Sequence, residues 1–286
     1  MPKKKSGGIK NIVVISDTHC GCRMGLCHPN GMPIDDGGTV LPSQLQLKVW
    51  AWWEEFWGEW VPMATKGEPY VVVHNGDAID GVHHNSTTQM SHNLQDQVDL
   101  AYDILKPVVD KCDGRYYHIR GTEAHVSKSG REEENLAKML DAIPTIDNSK
   151  KQHARWELWL EMGGELIHFL HHIGTTASSA HESSAVNAEI SAMLHESARW
   201  GLKKPTIVVR SHRHRSIEVR LPSQNNRYIT GVVTPAWQLK TPFTYKIAGA
   251  RLAPPQIGGI LIRLGDEGIF TKTFVKDIKG SPTVFI

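Results

Sequence analysis

Ile12-Val13-Val14-Ile15-Ser16-Asp17-Thr18-His19 decides the fold: four β-branched residues run into a carboxylate, one spacer and an imidazole. The apolar run predicts a strand buried on both faces, the usual state of a parallel strand under helices. The carboxyl end of such a strand is where open α/β sheets place ligand chemistry. Asp17 and His19, two apart, can point to one side and share a metal ion. A strand can also end in Asp for turn chemistry, and His19 can be a loop histidine. The reading therefore depends on how the other strands end.

They end alike. Tyr70-Val71-Val72-Val73 runs into His74-Asn75-Gly76-Asp77-Ala78-Ile79-Asp80. Tyr116-Tyr117-His118-Ile119 enters Arg120-Gly121-Thr122-Glu123-Ala124-His125. Residues 156–161 and 165–170 read as a hairpin about Gly163-Gly164, and its second strand meets His171-His172. Thr206-Ile207-Val208-Val209 runs into Arg210-Ser211-His212-Arg213-His214-Arg215. Packing does not explain five polar strand ends of this kind. Two carboxylates and four imidazoles suit two borderline divalent ions, and no thiolate is required. The arginines among the imidazoles suit an anion rather than a metal.

Composition is compatible with this. The chain has 286 residues, 40% hydrophobic and 22% charged, and a net charge of +2 that claims neither nucleic acid nor membrane. It predicts a tail over 1–10 and a single domain over 11–286, with an irregular and helical insertion at about 24–66. Four cysteines do not make a disulfide framework, and Cys20, Cys22, Cys27 and His28 lack the spacing of a zinc knuckle. No signal-like or membrane-length run is visible, so a cytoplasmic setting is expected, with the oligomeric state open.

The remaining elements frame the strands. Ser43–Trp60 reads as a helix with Trp50, Trp53, Trp57 and Trp60 on one face, as core rather than a base-stacking platform, ended by Pro62. Asn93 caps a helix to Lys111, with Pro107 expected to kink it or end it early. Ser129 and Glu132 read as a capping box for a helix to about Leu140, which assigns Glu133 and Glu134 to the helix dipole. His83 and His84 are expected at the rim or in solvent, and the hydroxyls near Thr176 and Ser178 in a turn or against phosphate. Glu182–Trp200 is a helix, and strands follow over 227–233, 259–264 and 269–275.

In order, Asp-x-His, Gly-Asp-x-x-Asp, Gly-x-Glu-x-His, His and His-x-His resemble the calcineurin-like metallophosphoesterase superfamily over residues 12–215. The resemblance implies an α/β fold of two facing mixed sheets flanked by helices, a four-layer sandwich. It implies two divalent ions (Mn, Fe, Zn, Co or Ni). Asp17, His19 and His214 would hold one; His171 and His212 would hold the other; Asp77 would bridge them, and Asp80 would orient a neighbouring imidazole. The third motif departs from the family's Gly-Asn-His-Asp/Glu, so Thr122, Glu123 or a water would replace the Asn ligand. His125 is the nearest substitute for the catalytic histidine. His171 is preferred to His172 because Gly commonly follows the ligand directly in the family and the strand alternation suits it. The variant motif and the Asp-Thr-His-Cys-Gly start look like those of bacteriophage phosphoesterases. The implied activity is hydrolysis of phosphate esters, diesters above monoesters, by activated water, with Arg213 or Arg215 meeting phosphate charge and His125 protonating the leaving oxygen. Nucleotides or nucleic acids are candidate substrates. A nuclease is the alternative within the class, and a metal-binding scaffold without turnover is the alternative outside it.

Overall fold

The computed structural model describes residues 8–83, 85–126, 129–147, 150–223, 227–247, 251–278 and 284. Most of the expected tail, and His84, lie outside them. The first sheet contains β1 (Asn11–Ile15), β2 (Tyr70–Asn75), β3 (Tyr116–Ile119) and β4 (Ala154–Arg155). The second contains β5 (Leu158–Met162), β6 (Glu165–Phe169), β7 (Ile207–Arg210), β8 (Ile217–Pro222) and β9 (Tyr228–Val233). A final hairpin, β10 (Gln256–Gly265) and β11 (Gly268–Asp277), returns to the first sheet.

The strand orders are β11-β10-β1-β2-β3-β4 and β8-β9-β7-β6-β5. β1, β2 and β3 run parallel, with Ile15 opposite His74 and Asn75 opposite Ile119. β7 runs parallel to both β6 and β9. Parallel neighbours bring their carboxyl ends out side by side, so Asp17, Asp77 and Thr122 emerge from one sheet and His171 and His212 from the other. The hairpins add antiparallel edges, so both sheets are mixed as expected.

Period-2 alternation sorts the core into layers. Ile12 and Val14 of β1 pack with Ile167, Phe169, Val209 and Val232 of the second sheet, so the two sheets face each other. Val13 and Ile15 point the other way, into a core with the helices. Those helices are α1 (Gln44–Glu55), α2 (Val61–Thr65), α3 (Leu94–Lys111) and, after the short α4 (Glu123–Val126) that stands outside this cluster, α5 (Arg131–Met139). α6 (Glu182–Trp200) covers the outer face of the second sheet through Val186 and Ile190. The tryptophan stripe is core: Trp53 lies 4.8 Å from Trp237, and Trp60 stacks on Phe56 at 5.2 Å. No helix among the described residues is long and apolar enough to cross a membrane.

Several local expectations change. Pro62 does not stop the helix. Phe56–Trp60 widens into a π turn, with Val61 N–H on the Phe56 carbonyl, and Pro62 then sits at the start of α2, where its missing N–H is tolerated. Pro107 lies inside α3, which still reaches Lys111. The N-cap of α5 is Gly130 at φ 60°, not Ser129, so the expected capping box does not form that helix start. Part of the irregular excursion closes as a small hairpin, Met32–Pro33 with Thr39–Val40. β8 adds a strand to those expected: Ile217-Glu218-Val219-Arg220-Leu221 alternates faces, half-buried then exposed.

Candidate metal centre

Where the parallel strands end, the backbone turns through left-handed conformations. Asp17, His19, Asp77, His212 and His214 have φ of 53°, 43°, 54°, 69° and 52°. Nine non-glycine residues among those described share that sign, and five are these. Each left-handed residue costs on the order of 1–3 kcal/mol, and such strain gathers at functional sites. Cross-loop bonds hold it in place: Asp17 N–H donates to Gly76 O at 2.9 Å, His19 N–H to Asp77 O at 3.1 Å, and Trp237 N–H to Asp17 O at 3.0 Å.

These turns bring the side chains together. The donor atoms of Asp17, His19 and His214 lie within 4.8 Å of one another, and so do those of Asp77, His171 and His212. The two groups adjoin, because His171 Nε2 is 2.9 Å from Asp77 Oδ2 and 4.0 Å from Asp17 Oδ1. His19 Nε2 lies 3.2 Å from His214 Nε2. Of the His171-His172 pair, His171 is buried among the carboxylates, while His172 is exposed and stacks on His212 at 4.8 Å.

Each inner ligand candidate is anchored from behind. Asp17 Oδ2 accepts from Ser16 Oγ–H at 2.5 Å and from His212 N–H at 3.3 Å, leaving Oδ1 toward the cluster. His171 Nδ1–H donates to Asn75 O at 2.6 Å, which turns Nε2 inward. Asp80 Oδ1 lies 3.3 Å from His19 Nδ1, and Gln89 Nε2–H donates to Asp80 Oδ2 at 2.8 Å. Carboxylates and carbonyls behind metal-binding imidazoles set the tautomer in this way. Two glycines are sterically required. A Cβ on Gly121 would fall on the Asp77 carboxylate, and one on Gly76 would fall on the His171 ring.

Sequence reasoning assigned Glu133 to helix chemistry, and the structure corrects this. Glu133 is fully buried; Oε1 accepts Ala78 N–H at 3.1 Å and Oε2 accepts Gly121 N–H at 2.7 Å. It ties the loop after β2 to the loop after β3. Behind it the rings of His74 and His118 stack at 5.0 Å. No sequence signal separates Glu133 from its neighbours except a three-residue spacing to Leu136, which is also fully buried.

Charge decides what the cluster needs. Burial alone would raise the Asp17 and Asp77 carboxyls. Facing imidazoles, His214 and His171 for Asp17 and His171 and His125 for Asp77, hold both well below the usual range. Burial likewise opposes charge on His19 and His171, but Asp17 and Asp80 raise His19 to about 10, and Asp77 and Asp17 raise His171 to about 9. The anionic floor thus demands cations, as protons on imidazole or as metal ions in their place. Asp17 Oδ1 and His171 Nε2 are buried and face charged neighbours, at 3.2 Å from His214 Nε2 and 2.9 Å from Asp77 Oδ2, with no well-aligned hydrogen bond to either. Carboxylate and imidazole atoms so oriented fit borderline divalent ions.

The remaining sequence candidates fall in different places. Thr122 N–H donates to Asp77 Oδ1 at 2.8 Å, and its hydroxyl lies 3.3 Å from that oxygen, so Thr122 borders the cluster. Glu123 opens α4, is exposed, and joins neither group. His125 sits over the site: its Nδ1 contacts Asp80 O at 2.6 Å and Nε2 lies 3.9 Å from Asp77 Oδ2. Burial pushes His125 down to about 4, against the opposing pull of Asp77. Arg213 and Arg215 are engaged elsewhere. Arg213 donates to Gly174 O and Thr176 Oγ1, and Arg215 pairs with Glu182 through two bonds. The Thr176 hydroxyl is therefore committed to Arg213 and the Ser178 carbonyl. The four cysteines are free and buried, and burial raises Cys20 and Cys22 to about 12, which leaves them inert as ligands.

No family model matches the chain, and no curated protein matches it. Solved structures that resemble it include zinc-complexed Vps29 from Entamoeba histolytica, at 11% identity and TM-score 0.38, covering 93% of this chain and 98% of that one. Another is a predicted phosphoesterase from Streptococcus pneumoniae, at 12% identity and TM-score 0.34, covering 93% and 98%. A third is the NAD nucleotidase of Haemophilus influenzae, at 12% identity and TM-score 0.35, covering 94% of this chain and 55% of that one. Likenesses this distant carry no argument. What characterises the chain is its own site: a mixed α/β fold whose parallel strand ends bring two adjoining Asp/His groups together that could hold metal ions.

Proposed function

We propose that this chain is a metal-dependent phosphoesterase of the calcineurin-like kind, with a dinuclear site. The observation that carries the reading is the adjacency of the two groups: His171 Nε2 lies 2.9 Å from Asp77 Oδ2 in its own group and 4.0 Å from Asp17 Oδ1 in the other. Asp77, whose carboxylate groups both with His171 and His212 and with His19 and His125, would be the ligand shared between the ions. When bound, two such ions would supply a water acidic enough to deprotonate near neutral pH and positive charge for phosphate oxygens.

The chain's own groups do the rest. Asp80 orients His19, Asn75 O orients His171, and Glu133 holds the two loops that present Asp77 and Thr122. Thr122 stands beside Asp77, where the family has Asn, and its hydroxyl is the oxygen nearest to that role. With Nδ1–H donating to Asp80 O, neutral His125 presents a bare Nε2 to the site. Donation to a leaving oxygen requires it to be charged first, which burial resists. Arg213 and Arg215 contact protein partners, and Arg120 pairs with Glu134. A monoanionic diester therefore suits the site better than a dianionic monoester.

The test is hydrolysis of bis(p-nitrophenyl) phosphate against p-nitrophenyl phosphate by chelator-stripped protein reloaded with Mn, with Asp77→Asn as control. Metal-dependent turnover that favours the diester and is lost in Asp77→Asn is expected. Turnover retained in that variant refutes the dinuclear reading. Tight metal binding without turnover of either ester would favour a metal-binding scaffold, to which the missing Asn ligand points.

A further inference from the structure

Beside the metal candidates lies a cavity of about 350 Å³, bordered by Gly121, Thr122, Trp156, Leu170, His171 and His172. That volume is at the lower end for sites that enclose a small organic ligand. Thr122 and His171 belong to the centre described above, so a group in the cavity would be covalently within reach of a phosphate held there. Trp156 stands just before β5 and is 55% exposed. Single exposed aromatics are ordinary. This one is backed by a fixed cation: the Arg120 guanidinium carbon lies 5.5 Å from the ring centroid.

Arg120 cannot swing away to meet an anion. It is only 8% exposed, and it donates to Gly130 O, to Ala154 O at 3.2 Å and to Glu134 Oε2 at 3.0 Å. A guanidinium held against an indole steadies the ring and leaves more than half of it uncovered. His172 brings a second ring to the same cavity. It is itself stacked on His212 with 30° between planes, and Leu170 adds an aliphatic wall. Flat rings, an aliphatic wall, the exposed Glu123 carboxylate on the same lining and an Arg120 already committed to protein partners select for a flat, uncharged, π-bonded group that can also donate a hydrogen bond.

We infer that this cavity is a base-binding subsite, in which Trp156 stacks the nucleobase of a nucleotide phosphoester whose phosphate lies at the metal centre. The inference rests on the phosphoesterase reading and names the substrate class for that site. A nucleobase with its ribose fits the volume better than a lone phenyl ring. Stacking on one aromatic side chain is sequence-tolerant, so all four bases would be accepted with modest preferences. Trp156 is a specificity residue here; it touches the substrate's ring and leaves the reacting atoms to others.

The experiment has a binding arm and a turnover arm. Calorimetry on the metal-loaded protein compares adenosine 5′-monophosphate, ribose 5-phosphate and phenyl phosphate, in wild type, Trp156→Ala and Trp156→Phe. The adenosine compound is expected to bind best. Its advantage over ribose 5-phosphate should fall by roughly 5- to 150-fold in Trp156→Ala and be largely kept in Trp156→Phe. In the turnover arm, the ratio of kcat/KM for the methyl diester of adenosine 5′-phosphate over that of ribose 5-phosphate should fall in Trp156→Ala, mainly through KM. Because Trp156 is exposed and Arg120 keeps its other partners, the variant is expected to fold, checked by its melting curve.

Equal binding of the adenosine and ribose compounds by wild type overturns the subsite, as does an advantage that Trp156→Ala leaves intact. Phenyl phosphate binding as tightly as the nucleotide also overturns it, in favour of a simple aryl pocket. These outcomes leave the phosphoesterase reading standing if the diester is still cleaved. Base-dependent binding lost in Trp156→Ala, with no ester hydrolysed under any metal, keeps the base pocket and removes the phosphoesterase.

Discussion

The floor and the rim of the centre are built differently. The floor comes from the first sheet: Asp17 and Asp77 have fully buried side chains, and Ser16, Thr122 and the Glu133 strut brace them. The rim comes from the turn after β7, where the His212 and His214 side chains are 29% and 24% exposed. His212 packs on His171 and His172, and His214 packs on His19 beside Asp17. The buried carboxylates are thus braced from several sides, while His212 and His214 stay partly open to solvent. If ions bind there, such a floor would set their affinity and the accessible rim their exchange.

The sharpest way to break this contrast is Gly121→Ala. The new Cβ collides with the Asp77 carboxylate and backbone, so metal binding and turnover should be lost together, with destabilisation of about 1–3 kcal/mol. Calorimetric metal titration and thermal melting read both; an unperturbed variant would mean that the floor is not rigid. Glu133→Gln should have the next largest effect. One of its two accepted backbone bonds would meet an amide donor, costing roughly 1–3 kcal/mol. The two loops should drift apart, lowering kcat more than metal affinity. If kcat stays level while stability falls, Glu133 is structural only.

His212→Ala tests the rim. Being partly exposed, it should shift stability by no more than about 0.5 kcal/mol while weakening one metal site, seen as loss of one equivalent in a titration. A large fall in melting temperature would erase the distinction between rim and floor. The last test lies away from the centre, on the sheet behind the rim. Burial, then Arg210, pushes His168 on β6 down to about 4, against Glu157. The unfolded chain therefore binds a proton that the folded one refuses between about pH 6.5 and 4. The stability this contributes is complete above about 6.5 and is lost as pH falls toward 4. His168→Gln should flatten that part of the melting-temperature profile, and an unchanged slope would place the acid sensitivity elsewhere.

Local pattern carried much of this. The β-branched runs before Asp17, Asp77 and His212 announce parallel strands, and an acid or imidazole directly after such a run is visible without any tertiary information. The tryptophan spacing in α1 announced a buried face for the same reason. Pro62 misled because a one-residue rule about N–H groups cannot foresee a π turn that makes the missing donor harmless. Alternation with histidines brings Arg213 and Arg215 beside the ligand candidates but says nothing about Gly174, Thr176 or Glu182, which reach them only after the chain has crossed over.

The amino-acid sequence by itself determined which side chains stand at the strand ends and in what order, because strand periodicity and the residues that close a strand are local properties. Only the tertiary structure decided that His171 rather than His172 faces the carboxylates. It alone turned Glu133 from a helix-end acid into a strut, and set Trp156 against Arg120 beside the centre. Those outcomes depend on which distant segments the two facing sheets press together. Burial and partner choice arise from that packing rather than from any spacing along the chain.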